Sequence, residues 1–256
     1  MSDIVLKTEG ISKKFGGVKA VQRFSMELKK GEIKGIIGPN GAGKTTIFNL
    51  LSHIYEPDEG KVYFLGENVT GKSQIDISRM GLSRTFQNTR LFAGLNVLDN
   101  VKVGLDHTGS YSLIEAMLLA PRRWKEERRI RQEAEACLRV LSLNQYSNAR
   151  PSSLSYGIQR RVEIARAIAS RPQVLLLDEP AAGLNPEEVL VLIDFIRLIK
   201  QKFDLSLLII EHKMDVIMNL CDVIYVQDFG ETIAVGAPEE IQTNPAVLTA
   251  YLGEEE

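Results

Sequence analysis

The sequence Gly38-Pro39-Asn40-Gly41-Ala42-Gly43-Lys44-Thr45 decides the fold, because it fits the pattern G-x-x-x-x-G-K-[ST]. A compact apolar strand is predicted directly before it, over Ile33 to Ile37, and a helical pattern follows from Lys44 to His53. Glycines allow successive backbone N–H groups to turn toward a phosphate, and the positive end of the helix points at the same anion. The strand, loop and helix therefore predict a phosphate-binding loop.

The side chains of this loop predict how Mg-ATP is held. We expect Lys44 to reach the β- and γ-phosphates and the Thr45 hydroxyl to ligate Mg²⁺. The expected ATP-binding residues of the loop and its helix are Gly38, Pro39, Asn40, Gly41, Ala42, Gly43, Lys44, Thr45 and Thr46.

The composition limits the class of protein. The chain has 256 residues, 44% apolar and 25% charged, with a net charge of −2, so it carries no bulk basic field for nucleic acid. Cys137 and Cys221 stand far apart in apolar surroundings, which predicts reduced core residues of a cytosolic protein. The sequence shows neither a signal-peptide pattern nor an apolar run of about 18 residues. We therefore expect a soluble protein that reaches a membrane only by docking.

Outside the loop, the chain alternates between helical and strand patterns. Early strands are predicted over Asp3 to Thr8, Val21 to Leu28 and Lys61 to Leu65, and helical patterns fill about Val97 to Ser147. Later elements are predicted as helices over Gln159 to Ser170 and Glu187 to Lys202 and as strands over Val174 to Leu177, Leu205 to Ile210, Asp222 to Val226 and Thr232 to Val235. Buried strands alternating with helices predict a parallel sheet interrupted by a helical insertion.

Two acids end the predicted buried strand Val174 to Leu177. Because the carboxyl ends of parallel strands form the functional edge of a sheet, Asp178 and Glu179 are expected beside the phosphate loop. Asp178 is expected to hold Mg²⁺, and Glu179 to orient or deprotonate the water that attacks the γ-phosphate. An isolated strand ending in a charged turn is the alternative, and the upstream loop disfavours it.

Two further polar residues, His212 and Gln87, occupy positions that predict contact with the γ-phosphate or with Mg²⁺. His212 stands two residues after the apolar run Leu207 to Ile210, so its imidazole is expected to reach the γ-phosphate. Gln87, in Arg84-Thr85-Phe86-Gln87, stands at the boundary between the first α/β part and the helical insertion. From there it is expected to contact both Mg²⁺ and the insertion.

The stretch Leu154-Ser155-Tyr156-Gly157-Ile158-Gln159-Arg160-Arg161 resembles the Leu-Ser-Gly-Gly-Gln signature of the ATP-binding cassette (ABC) family. The other motifs of this family are also present, in the family's order, across essentially the whole chain. They are an aromatic before the loop (Phe15), the glutamine loop (Gln87), the acidic strand end, Ala182-Gly183-Leu184-Asn185 as D-loop, and His212. For Phe15, stacking on adenine is expected, with a core phenylalanine as the alternative.

The resemblance implies a P-loop NTPase (RecA-like) α/β core with an antiparallel β subdomain and an inserted α-helical subdomain. The implied division of this single ABC ATPase domain is a core of residues 1–88 and 157–256 and a helical subdomain of residues 89–156. It also implies that Ser155, Tyr156 and Gly157 complete the ATP site of a second subunit, so that hydrolysis needs a dimer holding two nucleotides. Two departures stand out: Tyr156 and Ile158 replace a glycine and the glutamine of the signature, and Asn185 replaces the usual D-loop aspartate.

Several stretches resemble one branch of the family, the ATPases of branched-chain amino-acid importers. They are Arg84-Thr85-Phe86-Gln87, Ala181-Ala182-Gly183-Leu184-Asn185-Pro186 and Ala250-Tyr251-Leu252-Gly253. The resemblance implies a peripheral ATPase on the cytoplasmic face of the membrane, paired with a second ATPase. Its other implied partners are permease subunits and, indirectly, a substrate-binding protein. An ATPase for lipopolysaccharide or for urea or another amide remains open, as does a soluble non-transport cassette ATPase; nucleic acid is not an expected partner.

Overall fold

Two sheets and a set of helices make up the described part of the chain. The structure, a computed structural model, describes residues 3–87, 90–105 and 121–252. The strands are β1 (Ile4–Phe15), β2 (Val18–Lys29), β3 (Ile33–Ile37), β4 (Glu59–Phe64), β5 (Glu67–Asn68), β6 (Leu82–Arg84), β7 (Val174–Asp178), β8 (Ser206–Ile210), β9 (Val223–Asp228) and β10 (Glu231–Gly236). The helices are α1 (Lys44–Leu51), α2 (Gln74–Met80), α3 (Val97–Leu105), α4 (Pro121–Val140), α5 (Tyr156–Ala169), α6 (Pro186–Phe203), α7 (Met214–Leu220), α8 (Pro238–Gln242) and α9 (Pro245–Leu252).

The larger sheet has the order β10-β9-β3-β8-β7-β6. Its strands run parallel except for β10, which pairs antiparallel with β9. The strands β3, β7 and β8 consist almost entirely of buried apolar residues, which is typical of a parallel sheet covered on both faces. Their carboxyl ends lie at one edge, and the loops that follow them carry the predicted site residues.

The smaller sheet is antiparallel, in the order β2-β1-β4-β5. The predicted strand Asp3 to Thr8 is too short, because β1 continues to Phe15 through irregular register with β2 and β4. These irregularities break the alternation of buried and exposed residues on which the prediction relied. The antiparallel sheet beside a parallel one is the predicted arrangement.

Alternate residues of the central strands bury into two separate cores. Ile33, Ile37, Leu175, Leu177, Leu207 and Ile209 pack in a cluster with residues from α3, α4, α5 and α6. Ile36, Val174, Leu176, Leu208 and Ile210 pack in a second cluster with α1 and the antiparallel sheet. Successive side chains of a strand point to opposite faces of the sheet, so each central strand packs into both cores. The strand ends that carry the predicted site residues are therefore held from both faces.

Helices α3, α4 and α5 contact one another and form the helical region between β6 and β7. The expected helical patterns of residues 106–120 lie outside the described residues, as does Gly253 of the C-terminal stretch. The helix predicted from Gln159 begins earlier, at Tyr156, because Ser155 serves as its N-cap. No helix among the described residues combines the length and the apolar character that a membrane span requires.

Candidate active site

The loop 38–45 joins β3 to α1 in a conformation that depends on its glycines. Gly41 and Gly43 have φ of 79° and 94°, in the left-handed region that favours glycine. A Cβ atom on Gly38 would lie 2.0 Å from the Gln227 carbonyl oxygen, and one on Gly43 would lie 2.1 Å from that of Ala20. The loop therefore fits tightly between β9 and β2 with no room for side chains at these positions.

The amino end of α1 is suited to an anion. Gly43 is its N-cap, no side chain of the described residues caps it, and its first turn contains no acid. The positive end of the helix dipole is therefore not neutralised locally. Lys44 is buried and its Nζ donates to the carbonyl oxygens of Gly38 and Pro39, each at 2.6 Å. Thr45 is exposed and Thr46 half-buried at the same end.

Glu179 lies between two of the predicted site residues. Its Oε2 accepts a hydrogen bond from Gln87 Nε2 at 2.7 Å, and its Oε1 lies 3.1 Å from His212 Nε2. Three residues from the ends of β6, β7 and β8, which are far apart in sequence, thus meet at one carboxylate. The Glu179 side chain is largely buried, whereas that of His212 is partly exposed.

The backbone of Glu179 is strained. Its φ of 44° lies in the left-handed region, which is uncommon for a residue with a long side chain. The conformation is held by a hydrogen bond from Glu179 N–H to the Ile210 carbonyl and by one from Ala182 N–H to the Glu179 carbonyl. Strain of this kind concentrates at functional sites, where the surrounding structure fixes the side chain.

Asp178 is paired with Arg84, a residue for which the sequence predicts no role. Its Oδ2 lies 2.7 Å from Arg84 NH2, and both side chains are almost fully buried. Arg84 NH1 also donates to Asn49 on α1 and to Ser52, the C-cap residue of that helix. Arg84 is the last residue of β6, the parallel neighbour of β7, so it lies at the same edge of the sheet as Asp178.

A second missed residue is Glu211, which stands between β8 and His212. Its buried carboxylate accepts hydrogen bonds from the backbone N–H groups of Ala181, His212 and Lys213. Burial raises the pKa of Glu211, and these N–H bonds partly offset that effect. Glu211 thus ties the segment after Glu179 to the segment that carries His212.

The signature residues lie at the start of α5. Ser155 Oγ accepts from the Ile158 N–H at 3.4 Å, so it acts as the N-cap within its own helix. The Tyr156 ring faces the D-loop, where a Cβ on Gly183 would lie 3.2 Å from Tyr156 Cε1. Asn185 is the N-cap of α6 and accepts from the Glu188 N–H.

Phe15 lies at the end of β1 and is 43% exposed, which rules out the alternative of a core phenylalanine. Its ring meets the Tyr55 ring edge-on, with 5.2 Å between centroids. The ring therefore has an accessible surface, as stacking on a base requires.

Comparison with known proteins gives one consistent result. Residues 21–182 match the family model described as ABC transporter, and residues 231–256 match the model described as branched-chain amino acid ATP-binding cassette transporter. The chain is 41% identical to the high-affinity branched-chain amino acid transport ATP-binding protein LivG of Salmonella typhimurium, over 99% of this chain and 100% of that protein. It is 38% identical to the corresponding protein BraF of Pseudomonas aeruginosa, again over 99% and 100%.

Solved structures show the same fold. A nucleotide-free ATP-binding cassette from an ABC transporter superposes with a TM-score of 0.84 at 33% identity, covering 97% of this chain and 98% of that one. A dimeric cassette in a post-hydrolysis state, bound to ADP and phosphate, superposes with a TM-score of 0.74 at 26% identity, covering 91% and 98%. The predicted fold class, a P-loop NTPase core with an antiparallel sheet and a helical insertion, is confirmed.

Proposed function

The chain belongs to the ABC transporter family of ATP-hydrolysing cassettes, and from that premise we propose that it powers the import of branched-chain amino acids as one ATPase subunit of a membrane complex. The observation that carries this proposal is similarity over the full length of importer ATPases, together with the match at residues 231–256. The ATPase itself does not touch the transported molecule in this scheme. Its task is to convert ATP hydrolysis into movement of its partners.

The loop 38–45 would hold the phosphates of ATP. The fit rests on the glycine cradle, in which a Cβ on Gly38 or Gly43 has no room, and on the uncapped amino end of α1. Lys44 would turn from the loop carbonyls to the β- and γ-phosphates. Phe15 would stack on the adenine with its exposed ring.

Mg²⁺ would be held by Thr45, Asp178 and Gln87, whose hydroxyl, carboxylate and amide oxygens are the hard ligands that this ion prefers. Bound there, it would neutralise charge on the β- and γ-phosphates. In the structure, Arg84 holds one carboxylate oxygen of Asp178 in place.

Glu179 would act on the attacking water as general base or orienting group. Its two carboxylate oxygens are fixed by Gln87 and His212, so its position depends on the ends of β6 and β8. His212 would donate to the γ-phosphate from the same side. The three residues would thus move together when nucleotide binds.

Hydrolysis would require a second ATPase subunit. We place Ser155, Tyr156 and Gly157 against the γ-phosphate held by that subunit, where the amino end of α5 supplies N–H donors. Asn185 in the D-loop would lie near the same contact. The dimeric form of a related cassette supports such pairing.

The permease would dock on a groove between the α/β core and the proposed helical subdomain, residues 89–156. The groove has a volume of 460 Å³ and combines aromatic and cationic residues. They include Phe86, Arg90, Phe92 and Arg166, and Val103 adds an aliphatic side chain. Docking there would place the chain at the cytoplasmic face of the membrane, close to Gln87.

Purification of the affinity-tagged chain from its native membrane in mild detergent tests this assignment. We expect two permease proteins and a second, different ATPase to co-purify in fixed proportion. Recovery with lipopolysaccharide-export or urea-permease proteins would replace the proposed substrate. Recovery with ribosomes, or with no membrane protein, would overturn the transport function.

A further inference from the structure

Arg160 is the largest fully buried side chain of the described residues, and it lies on the signature helix α5. Its guanidinium donates from NH1 to the Phe86 carbonyl at 2.8 Å and from NH2 to the Gln87 carbonyl at 2.5 Å. NH2 also lies 3.5 Å from the Glu179 carbonyl oxygen. One side chain thus contacts the backbone of both residues that share the Gln87–Glu179 hydrogen bond.

Glu163, one turn along α5, completes this arrangement. It is 1% exposed, and its Oε2 pairs with Arg160 NH1 at 2.8 Å. Its Oε1 accepts a hydrogen bond from the Arg90 N–H at 3.2 Å. The ion pair therefore binds the glutamine loop at two points. Arg160 donates to the carbonyls of residues 86 and 87, and Glu163 accepts from the N–H of residue 90.

Tyr156 connects the same arginine to the signature. Its hydroxyl lies 3.3 Å from Arg160 NH2, and its ring faces Gly183 in the D-loop. Tyr156 stands where the family signature has a glycine, so the side chain that makes these contacts exists because of that departure. A shift of the amino end of α5 would carry Tyr156 and Arg160 with it.

A buried ion pair is a poor source of stability, since the cost of removing two charges from water offsets their attraction. Backbone carbonyls can be satisfied by less costly partners than a guanidinium. What the fork of an arginine adds is geometry, because its N–H groups point in fixed directions toward several acceptors at once.

We propose that Arg160 is a positioning residue that sets the glutamine loop, and through it Gln87 and Glu179, according to the position of the signature helix. Contact of Ser155–Gly157 with the partner's nucleotide would then be transmitted to the chain's own hydrolytic site by this side chain. The expected effect of Arg160 on hydrolysis rests on the proposed function, whereas its effect on the position of the glutamine loop does not.

The test is Arg160→Lys, which keeps the charge beside Glu163 but removes the fork. The matched control is Arg197→Lys on α6, because Arg197 also donates to a backbone carbonyl, that of Asn219, and pairs with an acid three residues away, Asp194. Should Arg160→Lys fail to fold, Arg160→Met/Glu163→Met removes both charges of the pair and replaces it in the same measurements.

The first readout is amide hydrogen exchange of the nucleotide-free protein in a peptide spanning residues 82–92. We expect exchange about tenfold faster in Arg160→Lys, since hydrogen bonds that hold this loop are lost, and no change in Arg197→Lys. This arm does not depend on ATP hydrolysis, so its result stands even if the wild-type chain proves inactive. Unchanged exchange in the 82–92 peptide would overturn the proposal.

The second readout is a kinetic double-mutant cycle with Gln87→Ala. If Arg160 acts through Gln87, the double variant has the kcat of Gln87→Ala alone, while KM for ATP stays within about twofold of wild type because the loop 38–45 is untouched. Losses in kcat that multiply, or a KM that rises in parallel, would show that Arg160 serves only the general fold and would refute its positioning role.

Discussion

At the scale of single residues, Glu179 is the proposed general base or water-orienting group of hydrolysis. Its carboxylate is held by Gln87 and His212 and its backbone is strained, so contacts within the chain set its position. Replacing Glu179 by glutamine removes the proposed base and keeps the size of the side chain. We expect ATP to bind with unchanged affinity and turnover to fall by roughly 10²–10⁴-fold.

Measurement of ATPase rate alongside fluorescent-nucleotide binding separates these two effects. Wild-type turnover in Glu179→Gln would remove Glu179 from the mechanism. A parallel loss of binding would instead indicate that the substitution disturbs the nearby loop.

Lys44 gives the opposite expectation. Its ammonium lies inside the loop, where it donates to the carbonyl oxygens of Gly38 and Pro39. Lys44→Ala should weaken ATP binding itself, by at least tenfold for the loss of a charged contact to phosphate. Titration by isothermal calorimetry checks this, and an affinity equal to wild type would contradict the loop assignment.

A local sequence pattern, such as a polar residue after a buried strand, predicts which residues lie at the site. It does not predict which other residue each of them contacts. Strand ends pointed to Asp178, Glu179 and His212 because the carboxyl edge of a parallel sheet collects such residues. The pairing of Asp178 with Arg84 depends on which strand lies beside β7, and no local pattern encodes that neighbour. The contacts of the buried Arg160 depend likewise on how α5 packs against the loop after β6.

At the scale of elements, Asn185 has a structural role, helix capping, that the aspartate usual at this position of the family would serve equally well. It caps α6 in a capping box with Glu188, and its side chain accepts from the Glu188 N–H at 2.9 Å. We expect Asn185→Ala to lower the free energy of unfolding by about 1 kcal/mol, whereas Asn185→Asp keeps the cap and stays within about 0.5 kcal/mol. Urea unfolding measures both.

Ser73→Ala is the matched control for this comparison, since Ser73 caps α2 in the same kind of capping box. A loss in Ser73→Ala without a loss in Asn185→Ala would show that Asn185 does not act as a cap in solution.

Element boundaries were predicted well where the periodicity was clean and poorly where a cap or a bulge decided them. The strand Ile33–Ile37 has the predicted bounds, since five consecutive buried residues are bounded by turns. Helix α5 begins three residues before the predicted start because Ser155 caps it. Strand β1 runs past its predicted end because pairing with two neighbours outweighs its irregular pattern.

At the scale of the whole molecule, the two buried cysteines test whether the core is intact and how its stability depends on pH. Both thiols are free and buried. Burial raises the pKa of Cys137 to about 12 and also raises that of Cys221. Stability from the neutral Cys137 thiol is fully present below its unfolded pKa, about 8.5, and is lost as the pH rises through about 12.

A thiol reagent at pH 8 should therefore leave both cysteines of the native protein unmodified and react with both in concentrated guanidinium. Rapid modification of either residue in the native protein would contradict the described burial.

Shared catalysis is the second property of the whole molecule. We expect variants at Ser155 or Gly157 to bind ATP as monomers and to fail both in dimerisation and in hydrolysis, because those residues would complete the partner's site. Light scattering with and without Mg-ATP, on the Glu179→Gln background to retain nucleotide, measures the assembly. A monomer of full activity would rule out the shared site. Where the natural partner is a different ATPase, that partner is added in equal amount.

The most direct test of the proposed function is uptake by the purified complex in proteoliposomes, with Mg-ATP on the side of the ATPases and binding protein on the other. The proposal predicts accumulation of labelled leucine that requires ATP and disappears with Glu179→Gln, while ATP binding persists. Uptake that continues unchanged with Glu179→Gln, or movement of urea or lipopolysaccharide in place of leucine, would contradict it.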